Sequence, residues 1–227
     1  MKMLYVFTVM ALLLSSYALI AEQTSFTKSH DSSHDIMTKK EDISSTSQME
    51  KDFTEQVDEA KKVRLTELRI KEIEECMIVG KSRRFVFDQE KVNPVPAFWA
   101  ECLKDGTVET LIGLPQNLHP DVLVGWYGDF NWEDDSLTCI VGVITAIDAP
   151  VPEGMTSFMI PTSRFAVGTI VGVEPDLYMM AHDLTMNKIE ELGIEIDEER
   201  LYEIEWYDTR FHVSANEKLI DLYIPVK

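Results

Sequence analysis

The order of elements in the C-terminal part of the chain most constrains its fold, because the same order is predicted twice. Between Thr66 and Lys227, hydrophobic periodicity indicates a strand, a helix and two strands, and then another strand, helix and strand pair. A sheet and a helix each have an apolar face that must be buried against another layer. We therefore predict an α+β fold of two βαββ repeats in a pseudo-two-fold arrangement, with two sheets that face each other across a central groove.

The element boundaries follow from apolar periodicity, from Pro in the first turn of a helix and from polar residues at turns. Gly193, for example, is predicted to end the second helix. The predicted elements are a strand over 77–87, a helix over 94–102, strands over 122–130 and 137–145, a long strand over 158–171, a helix over 176–192 and strands over 201–209 and 219–226.

Residues 1–21 have the pattern of a signal peptide, in which one basic residue, Lys2, precedes an apolar run and small residues up to Ala21. Cleavage would give an exported protein, periplasmic or secreted. Because the apolar run continues through Ile20, it is also close to the length of a single membrane anchor. We favour cleavage, and we expect contact with a membrane only if the segment stays uncleaved.

Residues 22–65 are predicted to be a polar linker, since Ser, Thr, Asp and Lys dominate most of the segment. The repeat SHDSSHD over 29–35 contains two His-Asp pairs that could hold a metal weakly, but a solvated polar segment is the preferred interpretation. Apolar residues at helical spacing predict a short amphipathic helix over 51–65. The folded domain is predicted to span residues 66–227.

Charge and motif content exclude several classes of function. The 227-residue chain has 40 acidic and 21 basic residues, which disfavours a nucleic-acid partner because phosphate contacts depend on Lys and Arg. No phosphate-binding loop, nucleophile elbow or zinc motif is present, so we predict neither a cofactor nor a metal site. Cys76, Cys102 and Cys139 are too few for a disulfide scaffold, and we expect buried thiols, with a single disulfide left open.

One carboxylate stands out. Glu205 lies between Ile204 and Trp206 on an alternating, mostly apolar strand, where an unpaired buried charge would be costly. It therefore has either a functional role or a structural ion pair, with Arg210 or Arg164 as the candidate partners. Glu203 shares the same strand face by the period of two, so it is the alternative functional carboxylate.

A set of short motifs occurs in a fixed order along residues 66–227. The motifs are Val79-Gly80, Trp99, Trp126-Tyr127, Gly142, Pro152–Gly154, Ile160-Pro161, Phe165–Val167, Glu205-Trp206-Tyr207 and Ile224–Val226. Together they resemble the effector-binding domain superfamily of bacterial proteins, which includes GyrI-like (gyrase-inhibitory-protein-like), AraC-type and integron-associated effector-binding proteins. The resemblance implies that the two predicted βαββ repeats are SHS2-like.

The resemblance implies a central groove that takes hydrophobic, often cationic, small molecules, with a glutamate at its floor and aromatic walls. By motif, Glu205 is the implied anchor and Tyr207 the adjacent aromatic residue. Trp99, Trp126 and Tyr127 are the candidate wall residues, with ordinary core packing as the alternative for each. A buried carboxylate and aromatic faces both attract a cation, so the physical chemistry agrees with the implied ligand.

We therefore predict an exported, non-catalytic, monomeric protein that binds a hydrophobic or cationic small molecule. An alternative is a hydrolase of strained electrophilic compounds, in which Glu205, with Tyr207 or Tyr127, directs a water molecule. A second alternative is a protein inhibitor or interaction module. Transcription control is not expected, because no recognition helix is evident in the N-terminal segment.

Overall fold

Eight antiparallel strands and three helices form the fold in the computed structural model, which describes residues 63–86, 93–212 and 217–227. The strands are β1 (Arg64–Ile73), β2 (Cys76–Val86), β3 (Leu123–Asn131), β4 (Ser136–Thr145), β5 (Thr156–Ile160), β6 (Ser163–Gly172), β7 (Glu203–Tyr207) and β8 (Lys218–Val226). The helices are α1 (Val95–Lys104), α2 (Thr107–Ile112) and α3 (Asp176–Glu191), and a 3-10 helix (Thr209–His212) follows β7.

The strands pair in the order β1-β6-β8-β7-β3-β4-β2-β5. Strands β2, β4 and β3 come from the first half of the domain and β6, β8 and β7 from the second, which confirms the α+β class. The two halves share one continuous sheet rather than two separate ones, because β3 pairs with β7 from Leu123 opposite Tyr207 to Tyr127 opposite Glu203. The internal repeat itself stays a prediction.

Three elements differ from the sequence prediction for identifiable reasons. Strand β1 was not expected, because it is an edge strand in which charged residues alternate with few apolar ones. The long strand predicted over 158–171 is divided into β5 and β6 around Pro161, which cannot donate a ladder hydrogen bond. Helix α2, only six residues long, carries too short a periodic pattern to predict.

The predicted N-terminal segments fall almost wholly outside the described residues. This holds for the signal peptide, the SHDSSHD repeat and most of the amphipathic helix over 51–65. The last two residues of that predicted helix, Arg64 and Leu65, instead begin β1, where they pair with β6. Within the part of the chain that the structure describes, no helix combines the length and apolarity needed to cross a bilayer.

The two faces of the sheet are covered differently. Helices α1 and α3 pack on one face, through clusters that include Phe98 and Leu177. On the other face, the side chains of the sheet pack on one another in an aromatic cluster around Trp126 and Tyr223. The three cysteines are buried and form no disulfide. Free cysteine is among the most buried residue types because its side chain behaves as a small apolar group. The face that carries α1 and α3 is the one that holds a cavity.

A buried network of ion pairs and hydrogen bonds connects β1, β6, β8 and the 3-10 helix. Asp221 on β8 is only 1% exposed, and it accepts hydrogen bonds from Thr169 on β6 at 2.6 Å and from Arg69 on β1 at 2.7 Å. Arg210, in the 3-10 helix, donates to the same carboxylate at 2.7 Å. Because the charge is satisfied by several donors, its burial is stabilised from three elements at once.

We expect Asp221→Asn to lower the free energy of unfolding by about 2–3 kcal/mol, because the amide loses two charge-assisted bonds to guanidinium groups. Urea denaturation checks this. Glu67→Gln is the matched control, since Glu67 also binds Arg69, at 3.1 Å, but is exposed, and its loss should cost less than about 1 kcal/mol. Equal losses in the two variants would contradict the structural role of Asp221.

Candidate functional site

A cavity of about 630 Å³ lies between α1 and α3, above the strands at the centre of the sheet. Its floor is formed by β3 and β7, with Leu222 of β8 and Leu137 of β4 at the sides. A volume of this size is typical of small-molecule sites. The cavity is therefore the candidate functional site of the described residues.

Regular spacing explains how each element contributes to the cavity. From α1, Val95, Trp99 and Leu103 line it at intervals of four, which places them on one helix face. Residues 203, 205 and 207 of β7 line it at intervals of two, as one face of a strand does. The local sequence thus places one row of side chains of α1 and one of β7 along the cavity.

Two tyrosine hydroxyls hold the carboxylate of Glu205 at the cavity floor. Tyr207 donates to Glu205 Oε2 at 2.5 Å, and Tyr127 of β3 donates to the same oxygen at 2.7 Å. Glu205 is 9% exposed and Tyr127 is 7% exposed, so water screens these bonds weakly. Both bonds go to Oε2, which leaves Oε1 for a ligand.

Burial controls the protonation of this triad. It raises the pKa of Glu205 from 4.5 to about 7, the two tyrosine bonds oppose the shift, and the nearby Glu203 carboxylate adds to it. Burial and the Glu205 charge also raise the pKa of Tyr127 and Tyr207 well above 10. Both tyrosines therefore stay protonated and donate, while Glu205 changes its charge near neutral pH.

Gly125 makes room for the carboxylate. It lies opposite Glu205 in the β3–β7 register. A Cβ atom at this position would lie 3.2 Å from Glu205 Oε2 and 3.1 Å from the Tyr127 hydroxyl, closer than ordinary van der Waals contact. The absent side chain at residue 125 thus permits the bond between Tyr127 and Glu205.

A second acidic group lies on the same floor. Glu203 is 5% exposed, and its Oε2 is 2.7 Å from Nδ1 of His182 on α3. His182 is itself 4% exposed and lines the cavity. At the rim, the exposed Glu174 accepts a hydrogen bond from Tyr178, another lining residue. Among the described residues that line the cavity, three are carboxylates and none is Lys or Arg.

Four of the five aromatic and acidic residues predicted for the site line the cavity: Glu205, Tyr207, Tyr127 and Trp99. The ring of Trp99 packs edge-on against Tyr207, with 5.1 Å between centroids. The alternative carboxylate, Glu203, lies there too. Both candidate ion-pair partners of Glu205 are engaged elsewhere, since Arg210 binds Asp208 and Asp221 and Arg164 donates to the carbonyl of Lys227.

Trp126 does not line the cavity, contrary to the wall role considered for it. It is 1% exposed and packs on the opposite face of the sheet, where its ring centroid lies 4.2 Å from that of Phe158. Adjacent strand residues point to opposite faces, so Trp126 and Tyr127 cannot both face the same cavity. Core packing is the role that the structure gives Trp126.

Sequence reasoning missed His182 and Gly125. A signal for His182 existed, because it accompanies Leu177, Ala181 and Thr185 on the buried face of α3, where a polar side chain needs a partner. No comparable signal marks Gly125, since the space that it leaves depends on Glu205, far away in the sequence.

Comparison with known proteins agrees with this architecture. A family model described as "GyrI-like small molecule binding domain" matches residues 66–227. The match covers most of the chain, so the protein belongs to the GyrI-like small molecule binding domain family. The resemblance read from the sequence motifs is thereby confirmed.

One curated protein and two solved structures are similar to this chain. The transcriptional regulator BrlR of Pseudomonas aeruginosa is 34% identical over 79 residues, which are 34% of this chain and 28% of BrlR, so the match spans about a quarter of that protein. A putative bacterial transcription regulation protein from Staphylococcus aureus MU50 superposes with a TM-score of 0.54 at 13% identity, over 71% of this chain and 98% of that one. The structure of SAV2435 bound to tetraphenylphosphonium gives a TM-score of 0.55 at 13% identity, over 71% and 94%.

The raised pKa of Glu205 makes stability depend on pH. Because the folded state binds this proton more tightly than the unfolded state, the stabilisation is fully present below about pH 4.5 and is lost as pH rises through about 7. The loss amounts to about 3 kcal/mol. We expect Glu205→Gln to abolish this pH dependence. Between acidic and mildly basic pH, the free energy of unfolding from urea denaturation should therefore fall by about 3 kcal/mol more in the wild type than in the variant. Parallel pH profiles would contradict this.

Removing one tyrosine hydroxyl should raise the pKa of Glu205 further, because the hydroxyl stabilises the ionised form. We expect Tyr127→Phe to raise it by about 1–2 units, measured by ¹³C NMR titration of the side-chain carboxyl. Tyr178→Phe is the control, since its hydroxyl binds Glu174 in the same cavity. A Glu205 pKa that is unchanged in Tyr127→Phe would count against the hydrogen bond.

Proposed function

We propose that this protein is an exported receptor that binds a hydrophobic cation in the cavity between α1 and α3 and releases it unchanged. The observation that carries the proposal is the placement of Glu205. A carboxylate buried at the floor of an apolar cavity, among lining residues that include no Lys or Arg, can be neutralised only by a proton or by a cationic ligand.

The energetics favour a cation over a neutral ligand of the same shape. Without a ligand, burial destabilises the ionised carboxylate and holds a proton on it up to about pH 7. A bound cation replaces that proton and interacts with the charge in a site that excludes water. The faces of Trp99 and the tyrosines add cation-π attraction of about 0.5–2 kcal/mol each where they contact the ligand.

Family membership supports the same class of ligand. The family is described by small-molecule binding, and SAV2435, which has a similar fold, has been solved with tetraphenylphosphonium, a bulky organic cation. That compound is therefore a suitable first probe for this chain. The size of the cavity and its acidic floor are what make a cation of this class the proposed ligand here.

Export and assembly are proposed on the sequence. The apolar segment over residues 1–21 supports secretion or a periplasmic location, with a retained membrane anchor as the other outcome of the same pattern. A single chain supplies both walls and the floor of the cavity, which supports a monomer. The negative net charge supports a ligand other than nucleic acid.

Hydrolysis of a strained electrophile is the second candidate, and the triad at the cavity floor is what favours it. In such a reaction, Glu205 would take a proton from water as the water oxygen bonds to carbon, and a tyrosine hydroxyl would protonate the atom released from the strained bond. A pKa of about 7 suits Glu205 to that role of general base. Turnover of an epoxide or similar compound, lost in Glu205→Gln, would favour this candidate over simple binding.

Glu205→Gln should weaken binding of tetraphenylphosphonium by at least about tenfold, because the amide cannot neutralise the ligand charge. Calorimetric titration of the purified full chain measures the affinity, and quenching of the tryptophan fluorescence, to which the cavity residue Trp99 contributes, reports occupancy of the cavity. Wild-type affinity should also rise with pH through about 7, as Glu205 ionises.

The matched control is Glu72→Gln, which removes an exposed carboxylate on the edge strand β1 and should leave the affinity unchanged. It separates the cavity carboxylate from the general negative charge of the chain. Affinity that is equal in wild type and Glu205→Gln, or independent of pH between about 6 and 8, would contradict the assignment.

A further inference from the structure

The cavity floor carries a second buried carboxylate, Glu203, beside Glu205. Glu203 and Glu205 lie two residues apart on the same face of β7, so their backbone positions are separated by about 6.6 Å. Both side chains are at least nine-tenths buried. The floor therefore presents two acidic groups side by side along one strand.

The two carboxylates have different protein partners. Glu205 receives two neutral hydroxyl donors, which leave its charge in place. Glu203 bonds Nδ1 of His182, which is an ion pair if the imidazole is protonated and a neutral-donor hydrogen bond if it is not. In both groups these bonds go to Oε2, and no hydrogen bond from the described residues reaches either Oε1 atom.

A ligand with one positive charge can lie against only one of these groups. The other carboxylate then keeps only its protein partners, the His182 ring for Glu203 or the two tyrosine hydroxyls for Glu205, and incomplete pairing of a buried acidic group is costly. A ligand with two positive charges compensates both and also removes the mutual repulsion of the carboxylates. The exposed Glu174 at the rim, already bonded by Tyr178, is more strongly screened by water and does not set the spacing.

We propose that the cavity is selective for an amphipathic dication, with one positive group at Glu205, the other at Glu203 and an apolar spacer between them. This inference rests on the proposed cation-binding function and names its ligand class. Specificity then comes from the distance between the two charges, because a spacer that is too short or too long leaves one carboxylate unpaired.

The test is calorimetric titration of the full chain with linear diammonium alkanes of increasing length, each compared with the monoammonium alkane of the same carbon chain. We expect the dication to bind at least about tenfold more tightly than its monocation at one spacer length, and less tightly on either side of it. Glu203→Gln should abolish this advantage, measured as the ratio of dication to monocation affinity in the same variant, and Glu205→Gln should weaken both ligands.

Glu203→Gln removes the charge at residue 203 but keeps the side-chain bond to His182. A glutamine at residue 203 still accepts a hydrogen bond from His182 Nδ1, and Glu72→Gln again controls for lost negative charge on the surface. If Glu203→Gln fails to fold, the spacer series in the wild type decides, and the absence of an optimum length overturns the proposal.

The outcomes distinguish this inference from the function on which it rests. Equal affinity for dication and monocation, or an advantage that survives in Glu203→Gln, overturns dication selectivity. In that case Glu205-dependent binding of tetraphenylphosphonium would still support the proposed function. Failure of every cation to bind, tetraphenylphosphonium included, overturns both.

Discussion

The antiparallel pairing of β3 with β7 fixes the position of every group at the cavity floor. It sets Gly125 opposite Glu205 and Tyr127 opposite Glu203, so that the Tyr127 hydroxyl reaches diagonally to Glu205 Oε2. It also joins the two halves of the domain into one sheet. A shift of the register by one residue would turn Tyr127 to the other face and place Trp126 under the helices. The fold and the site thus depend on the same set of backbone hydrogen bonds.

The chemistry of the site follows from the burial of the Glu205 carboxylate without a Lys or Arg partner among the cavity residues. Elsewhere in the domain, buried acidity is compensated, as where Arg69 and Arg210 surround Asp221. At the cavity floor, Glu205 receives only neutral hydroxyls, and its pKa rises to about 7 in consequence. This difference separates a carboxylate that stabilises the fold from one that is left for a ligand. In the cation-binding function that we propose, the ligand would supply the positive charge that the protein omits.

The sequence predicted most strands, because alternation over eight to ten residues is a local signal, and it failed where that signal was weak or interrupted. Charged residues concealed β1, and Pro161 divided one predicted strand into two. In the site, Glu205 was predicted because its neighbours on β7 are apolar, and Tyr207 and Tyr127 because their motifs resemble a known family. Trp126 packs in the core, which was the alternative considered for it, and the period of two puts it on the face opposite Tyr127.

By itself, the sequence determined which residues share a face, since the period of a strand or helix is fixed by local backbone geometry. It thereby placed Glu203, Glu205 and Tyr207 together. Only the tertiary structure decided which face holds the cavity, which hydroxyl reaches Glu205 from 78 residues away, and that His182 of α3 meets Glu203. These contacts depend on the register between distant strands and on helix packing, which no local pattern encodes.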